Sequence, residues 1–188
     1  MSRLIYAACL SFLVTGALAA CWQTTNAKDP VADAFPNTNS SYVCMTSTGF
    51  ASTLTQEGGS WGCRTMVQEG GKWVVGREAP GVFSVFHKNV SECTDKQTGN
   101  YLPSWETLDP FSPGAMDYVP IYTSTGEQPC RTKHDTANVG GFFFNKTAKR
   151  FECSILAATG ARSSSVIPDA EILMGKKITN TSAVTVMV

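Results

Sequence analysis

Apolar and polar residues alternate through much of this chain, and glycines break the alternation at short intervals. From Tyr42 to Thr48, Tyr42, Cys44 and Thr46 share one face and Val43 and Met45 the other, the period of two that marks a strand. Phe50 to Gln56 predicts a second strand. The stretch from Gln56 to Trp73 then says nearly the same thing twice, because Gln-Glu-Gly-Gly-Ser-Trp is followed twelve residues on by Gln-Glu-Gly-Gly-Lys-Trp. Gly58-Gly59 and Gly70-Gly71 are turn signals, since glycine takes the positive φ that tight hairpins require. Between them Trp61, Cys63, Thr65 and Val67 alternate with Gly62, Arg64, Met66 and Gln68. The doublet therefore predicts a meander in which each tryptophan follows a glycine turn and caps the core. Stacking of the tryptophans on a carbohydrate is the alternative. With no third copy, the doublet does not predict a long repeat.

Gly81 to Lys88 has apolar groups on both faces, which places one sheet layer inside. Asn89 to Pro113 reads as a loop, punctuated by Pro103 and Pro110 and carrying Tyr101, Trp105 and Phe111. Val119 to Thr123 predicts a short strand that Pro120 confines to an edge. Gly141 to Leu156 predicts a hairpin turning at Asn145 to Lys149. Ser165 to Lys177, with Pro168 near its start and acids in its first turn, predicts a helix. Ser182 to Val188 is a closing strand or a tail. Together these elements predict an all-β, mostly antiparallel fold: a single barrel or sandwich stapled by disulfides, with one late short helix.

The N-terminal twenty residues read as a signal peptide, with Arg3 ahead of an apolar run from Leu4 to Val14 and small residues up to Ala20. That leaves residues 21–188 as a single disulfide-bonded β domain with an extended lead-in at 22–41, and no membrane span. Cys21, Cys44, Cys63, Cys93, Cys130 and Cys153 form an even set, read as three disulfides of open connectivity. Their spacing does not suit a metal site, and no cofactor is expected. Leu18 to Cys21 also resembles a lipoprotein processing box, in which Cys21 would be lipidated. Sequons at Asn39, Asn89, Asn145 and Asn180 favour a secreted, extracellular glycoprotein instead.

Charged residues make up only 16% of the chain and balance to zero, which gives no electrostatic footprint for nucleic acid. The chemistry expected of an enzyme is thin. His87 lies in an aromatic strand and His134 in a polar loop, so an acid–base pair for RNA cleavage is not expected. Nucleophile-elbow, zinc-protease and phosphate-loop motifs are missing. Glu106, Asp109 and Asp117 form the nearest carboxylate cluster, read as turn formers. No enzyme is expected.

Asp117-Tyr118, Tyr122-Thr123, Cys130 and the run Phe151 to Leu156 before the expected helix resemble the later half of lipocalins, above all those of ticks and other arthropods. Gly59-Ser60-Trp61 and Gly71-Lys72-Trp73 are two matches to that family's G-x-W signature. Both stand later in the chain than the family places it. The resemblance covers residues 116–156. It implies a closed eight-stranded cup around a small apolar ligand, lined by Trp73, Phe83, Val85, Tyr118, Phe142 and Phe144. The bland alternative is that these side chains fill a solid core. The expected partner is thus a small hydrophobic molecule. The alternative is an extracellular protein, or a second copy of the chain docking through exposed strand edges.

Overall fold

The computed structural model describes residues 21–24, 29–32, 34–88, 101–107, 118–156, 162–166 and 169–177, the stretch 162–166 by its backbone alone. The expected signal peptide, Cys93, Asn89, Asn180 and the 182–188 segment lie outside the described residues. Thirteen strands and no helix are found among those described. They are β1 (Trp22–Thr24), β2 (Tyr42–Met45), β3 (Ala51–Glu57), β4 (Ser60–Glu69), β5 (Lys72–Glu78), β6 (Ser84–Phe86), β7 (Tyr101–Glu106), β8 (Tyr118–Pro120), β9 (Gln128–Thr132), β10 (Val139–Asn145), β11 (Arg150–Leu156), β12 (Arg162–Val166) and β13 (Ala170–Lys177).

The strands form two antiparallel sheets and no closed barrel. One runs β1-β6-β2-β3-β4-β5 and the other β7-β13-β9-β10-β11-β12, with β8 added on β13 beside β9. Written this way, the two orders are the same: the first strand pairs with the last, the last with the second, and a meander follows. The match extends to single residues. Cys44 sits opposite Ser52 and Cys63 opposite Leu54, and Cys44 bonds Cys63 over the middle strand. Cys130 sits opposite Gly140 and Cys153 opposite Phe142, and Cys130 bonds Cys153 in the same way. Cys21 is disulfide-bonded as well. The chain therefore repeats one module, which corrects the expectation that it holds no long repeat.

The two sheets pack face to face. Val43, Ala51 and Phe86 of the first meet Ile121, Val139 and Leu173 of the second in one buried cluster. Ala51 and Val139 are equivalent positions of the two modules, as are Phe86 and Leu173. Fully burying the valine, isoleucine, leucine and phenylalanine side chains of this cluster stabilises by about 1.5–3 kcal/mol each. The middle strands are also joined by a hydrogen bond, Val139 N donating to Thr53 Oγ1 at 2.7 Å. Each sheet has a second buried cluster on its far face. Leu54, Cys63 and Val85 occupy one, and their equivalents Phe142, Cys153 and Ile172 the other.

The glycine doublet does form two hairpins, with Gly58, Gly59, Gly70 and Gly71 all at positive φ. Its tryptophans nevertheless face opposite ways. Trp61 lies opposite Gln56 and packs edge-on against Tyr42, ring centroids 5.6 Å apart. Trp73 lies opposite Gln68, an odd number of residues from Trp61, so alternation turns it to the other face. It is 66% exposed and caps no core.

Two further expectations change. The stretch expected as a helix holds no helix where it is described: it is part of β12 and β13, with a bend at Asp169. Ile172 and Met174 fill the outer cluster while Leu173 fills the inter-sheet core, so the run is apolar on both faces and shows no period of two. Tyr101 to Glu106, expected as loop, is β7. Its Pro103 is tolerated because β7 is an edge of the sheet.

Candidate functional site

Where β3, β4 and β5 diverge from β10 and β11, the sandwich opens into a cleft of about 790 Å³. This falls within the range of small-molecule sites, ~300–1,000 Å³. Its walls follow from strand alternation. Arg64 and Met66 project from β4 toward the other sheet, and Trp73 joins them from β5. Facing them are Phe143 of β10 and Leu156 of β11. Trp73, Phe50 and Phe143 are exposed and stand at the mouth, whereas Arg64 and Gly140 are buried at the floor.

Two glycines lie along the floor. A Cβ at Gly140 would lie 1.9 Å from the carbonyl oxygen of Ser154, so only glycine lets β10 and β11 approach this closely. A Cβ at Gly141 would meet the Glu127 carboxylate at 2.4 Å, so that carboxylate occupies the space a side chain would fill.

Beside serine and threonine hydroxyls, the cleft is lined by three charged side chains, Arg64, Glu78 and Glu127. Arg64 is 7% exposed, and its Nη1 donates to Asn138 Oδ1 and, at 3.2 Å, to the carbonyl of Leu156. Asn138 is held in turn by Asp135, Nδ2 donating to Oδ2 at 2.7 Å. Desolvation lowers the pKa of Arg64, partly offset by Glu57 and Asp135. Glu78 accepts from the backbone N and the Oγ of Ser47, at 2.7 and 2.6 Å, so both its oxygens are engaged.

A second hollow, of about 500 Å³, lies on the outer face of the second sheet and is lined by Tyr118, Phe142, Phe144, Phe151 and Met174. The residues expected to line one cup are thus divided. Trp73 stands in the inter-sheet cleft, and Tyr118, Phe142 and Phe144 in the outer hollow. Phe83 and Val85 are buried in the outer cluster of the first sheet and line neither. Arg64, Met66 and Phe143 are cleft residues that the sequence reading did not single out. The available signal was a charged residue on one face of an alternating strand in a chain poor in charge.

Among the sequons, Asn39 is exposed in the turn before β2, and Asn145 begins the β10–β11 turn. His87 is buried and His134 exposed, on different elements. Glu106 accepts from Ser104 within its own strand, and Asp109 and Asp117 lie outside the described residues. Among the described residues there is no cluster able to hold a metal ion, and no helix long and apolar enough to cross a membrane. No protein-family model, curated protein or solved structure matches this chain.

Proposed function

We propose that this is an extracellular binding protein that holds a small hydrophobic molecule in the cleft between its two sheets. The observation that carries the reading is the cleft itself, with Trp73, Phe50 and Phe143 at its mouth. Large aromatic surfaces left in water around a concave space are characteristic of ligand sites, because a bound apolar body removes them from solvent. The disulfides suit an oxidising compartment. The lipocalin resemblance implies the same ligand class, although here the space lies between open sheets.

Native mass spectrometry of the purified glycoprotein tests this. A monomer carrying a small apolar compound supports it, and displacement of that compound should change Trp73 fluorescence. Polymers that grow with concentration, with no compound bound, would favour the second reading, docking of a partner or second copy along a strand edge. That reading is favoured by β5, an edge of its sheet that also presents Trp73.

A further inference from the structure

We infer that the ligand of the inter-sheet cleft is an amphiphile with a carboxylate, and that Arg64 is the residue that pairs with it. This rests on the reading of the cleft as a ligand site. The reason lies in what the guanidinium lacks. Arg64 is 7% exposed, yet no carboxylate of the described residues is in ion-pair contact with it, and Glu57 and Asp135 act on it only at longer range, Asp135 through Asn138. A buried charge is costly unless paired, and proteins leave few of them without a counter-ion. Both of its hydrogen bonds within the described residues, to Asn138 and to the Leu156 carbonyl, leave from Nη1. The remaining edge of the fork, Nε and Nη2, has no acceptor among the described residues and belongs to a side chain on the cleft wall. Two parallel N–H donors on one edge match the two oxygens of a carboxylate.

Internal duplication supplies the control. Cys63 is equivalent to Cys153, so the module places Ser154 where Arg64 stands. The second copy builds the same three-strand ladder with serine, and the architecture therefore does not require a cation there. The other titratable groups on the wall are already engaged. Glu78 is held by Ser47, and Glu127 has an interaction of its own. Neither appears among the charges that act on Arg64, which are Glu57, Asp135 and Arg77. Met66 and Leu156 give the cleft wall beside Arg64 an apolar part. A head group held at the floor would leave an alkyl body running toward Trp73 and Phe143.

The test compares three probes of equal chain length, dodecanoic acid, 1-dodecanol and dodecylamine, bound to the purified protein at neutral pH and read by calorimetry. The acid is expected to bind about tenfold more tightly than the alcohol, the scale of one charge-assisted pair. The amine is expected to bind more weakly than either. Arg64→Gln should bring the acid-to-alcohol ratio close to one, and Arg64→Lys should keep part of the preference because charge survives without the fork. The comparison in the unaltered protein needs no variant and stands even if Arg64→Gln fails to fold. Equal binding of acid and alcohol, or preference for the amine, overturns the assignment of the carboxylate while leaving the cleft a ligand site. Binding of none of the three overturns the ligand site, and the assignment with it.

Discussion

Trp22 and Trp105 are the same residue of the repeated module, and a chain of aromatic contacts joins them across the two sheets. Trp22 pairs with Phe86 in its ladder, and Trp105 with Leu173, the equivalent of Phe86. The ring of Trp22 meets that of Phe86 at 5.2 Å, Phe86 meets Phe35 at 6.4 Å, and Phe35 meets Trp105 at 6.3 Å. The two indoles differ in one respect. Nε1 of Trp22 donates to the Tyr122 carbonyl at 2.9 Å, whereas Nε1 of Trp105 is buried without an acceptor among the described residues.

That difference yields a paired prediction. Trp22→Phe and Trp105→Phe remove the same ring volume, so their cavity terms are alike. Only the first loses a hydrogen bond, and the second relieves an orphaned donor. Trp22→Phe should therefore be the more destabilising, by about 1–3 kcal/mol. Urea unfolding of the two variants measures it. Equal losses would show that the Trp22 bond contributes nothing net.

The disulfides make a second pair. They are separated by 19 and 23 residues in sequence, so chain-entropy reasoning gives each about 3 kcal/mol. The double variants Cys44→Ala with Cys63→Ala, and Cys130→Ala with Cys153→Ala, should lower stability by similar amounts in chemical denaturation. A much larger loss from one pair would mean that the two halves differ in how far they rely on the clip.

Strand alternation and the glycine turns were legible because they act over a few residues. The hairpins around β4 follow from Gly58-Gly59 and Gly70-Gly71 alone. Duplication was not legible because few identical residues carry it: Trp22 matches Trp105, Cys44 matches Cys130, and Cys63 matches Cys153. Between these the turns differ in length, two glycines joining β3 to β4 where residues 146–149 join β10 to β11. The β13 sequence reads as helix because neighbours from both faces of the strand are buried at once, which hides its period. Arg64 drew no attention since its meaning depends on β11 packing opposite β4, a pairing across the sandwich that no local pattern records.

The glycines at the cleft floor separate folding from binding. Gly140→Ala drives a methyl group into the backbone of Ser154, which cannot withdraw without breaking the ladder. A loss of about 3 kcal/mol or more, or no folded protein, is expected. Gly141→Ala meets the far end of the Glu127 side chain rather than backbone, so it should cost less than Gly140→Ala, about 1.5 kcal/mol. It nonetheless raises the cleft floor, and apolar probe binding should weaken severalfold in a protein whose melting temperature barely moves. Unchanged probe affinity in a folded Gly141→Ala would place the ligand elsewhere.

Glu152 ties stability to pH at the opposite end of the β10–β11 hairpin. Its carboxylate accepts from Asn145 Nδ2 at 3.1 Å and from Arg150 Nε at 2.8 Å. Those bonds, Asn145 first and Arg150 second, hold its pKa below the usual carboxylate value. Asn145 in turn fixes the turn, its Oδ1 accepting from the backbone of Thr147 and of Ala148, both at 3.0 Å. A depressed folded pKa means that the stabilisation is complete above the unfolded value, about 4.3, and drains away as pH falls through the folded one. Glu152→Gln keeps the shape and removes the charge. Its melting temperature should lie below that of the unaltered protein at pH 7, and the gap should narrow as pH drops from about 5 toward 3. A gap that stays constant over that range would mean that the carboxylate's charge does not stabilise the hairpin, and that its hydrogen bonds serve only to orient Asn145.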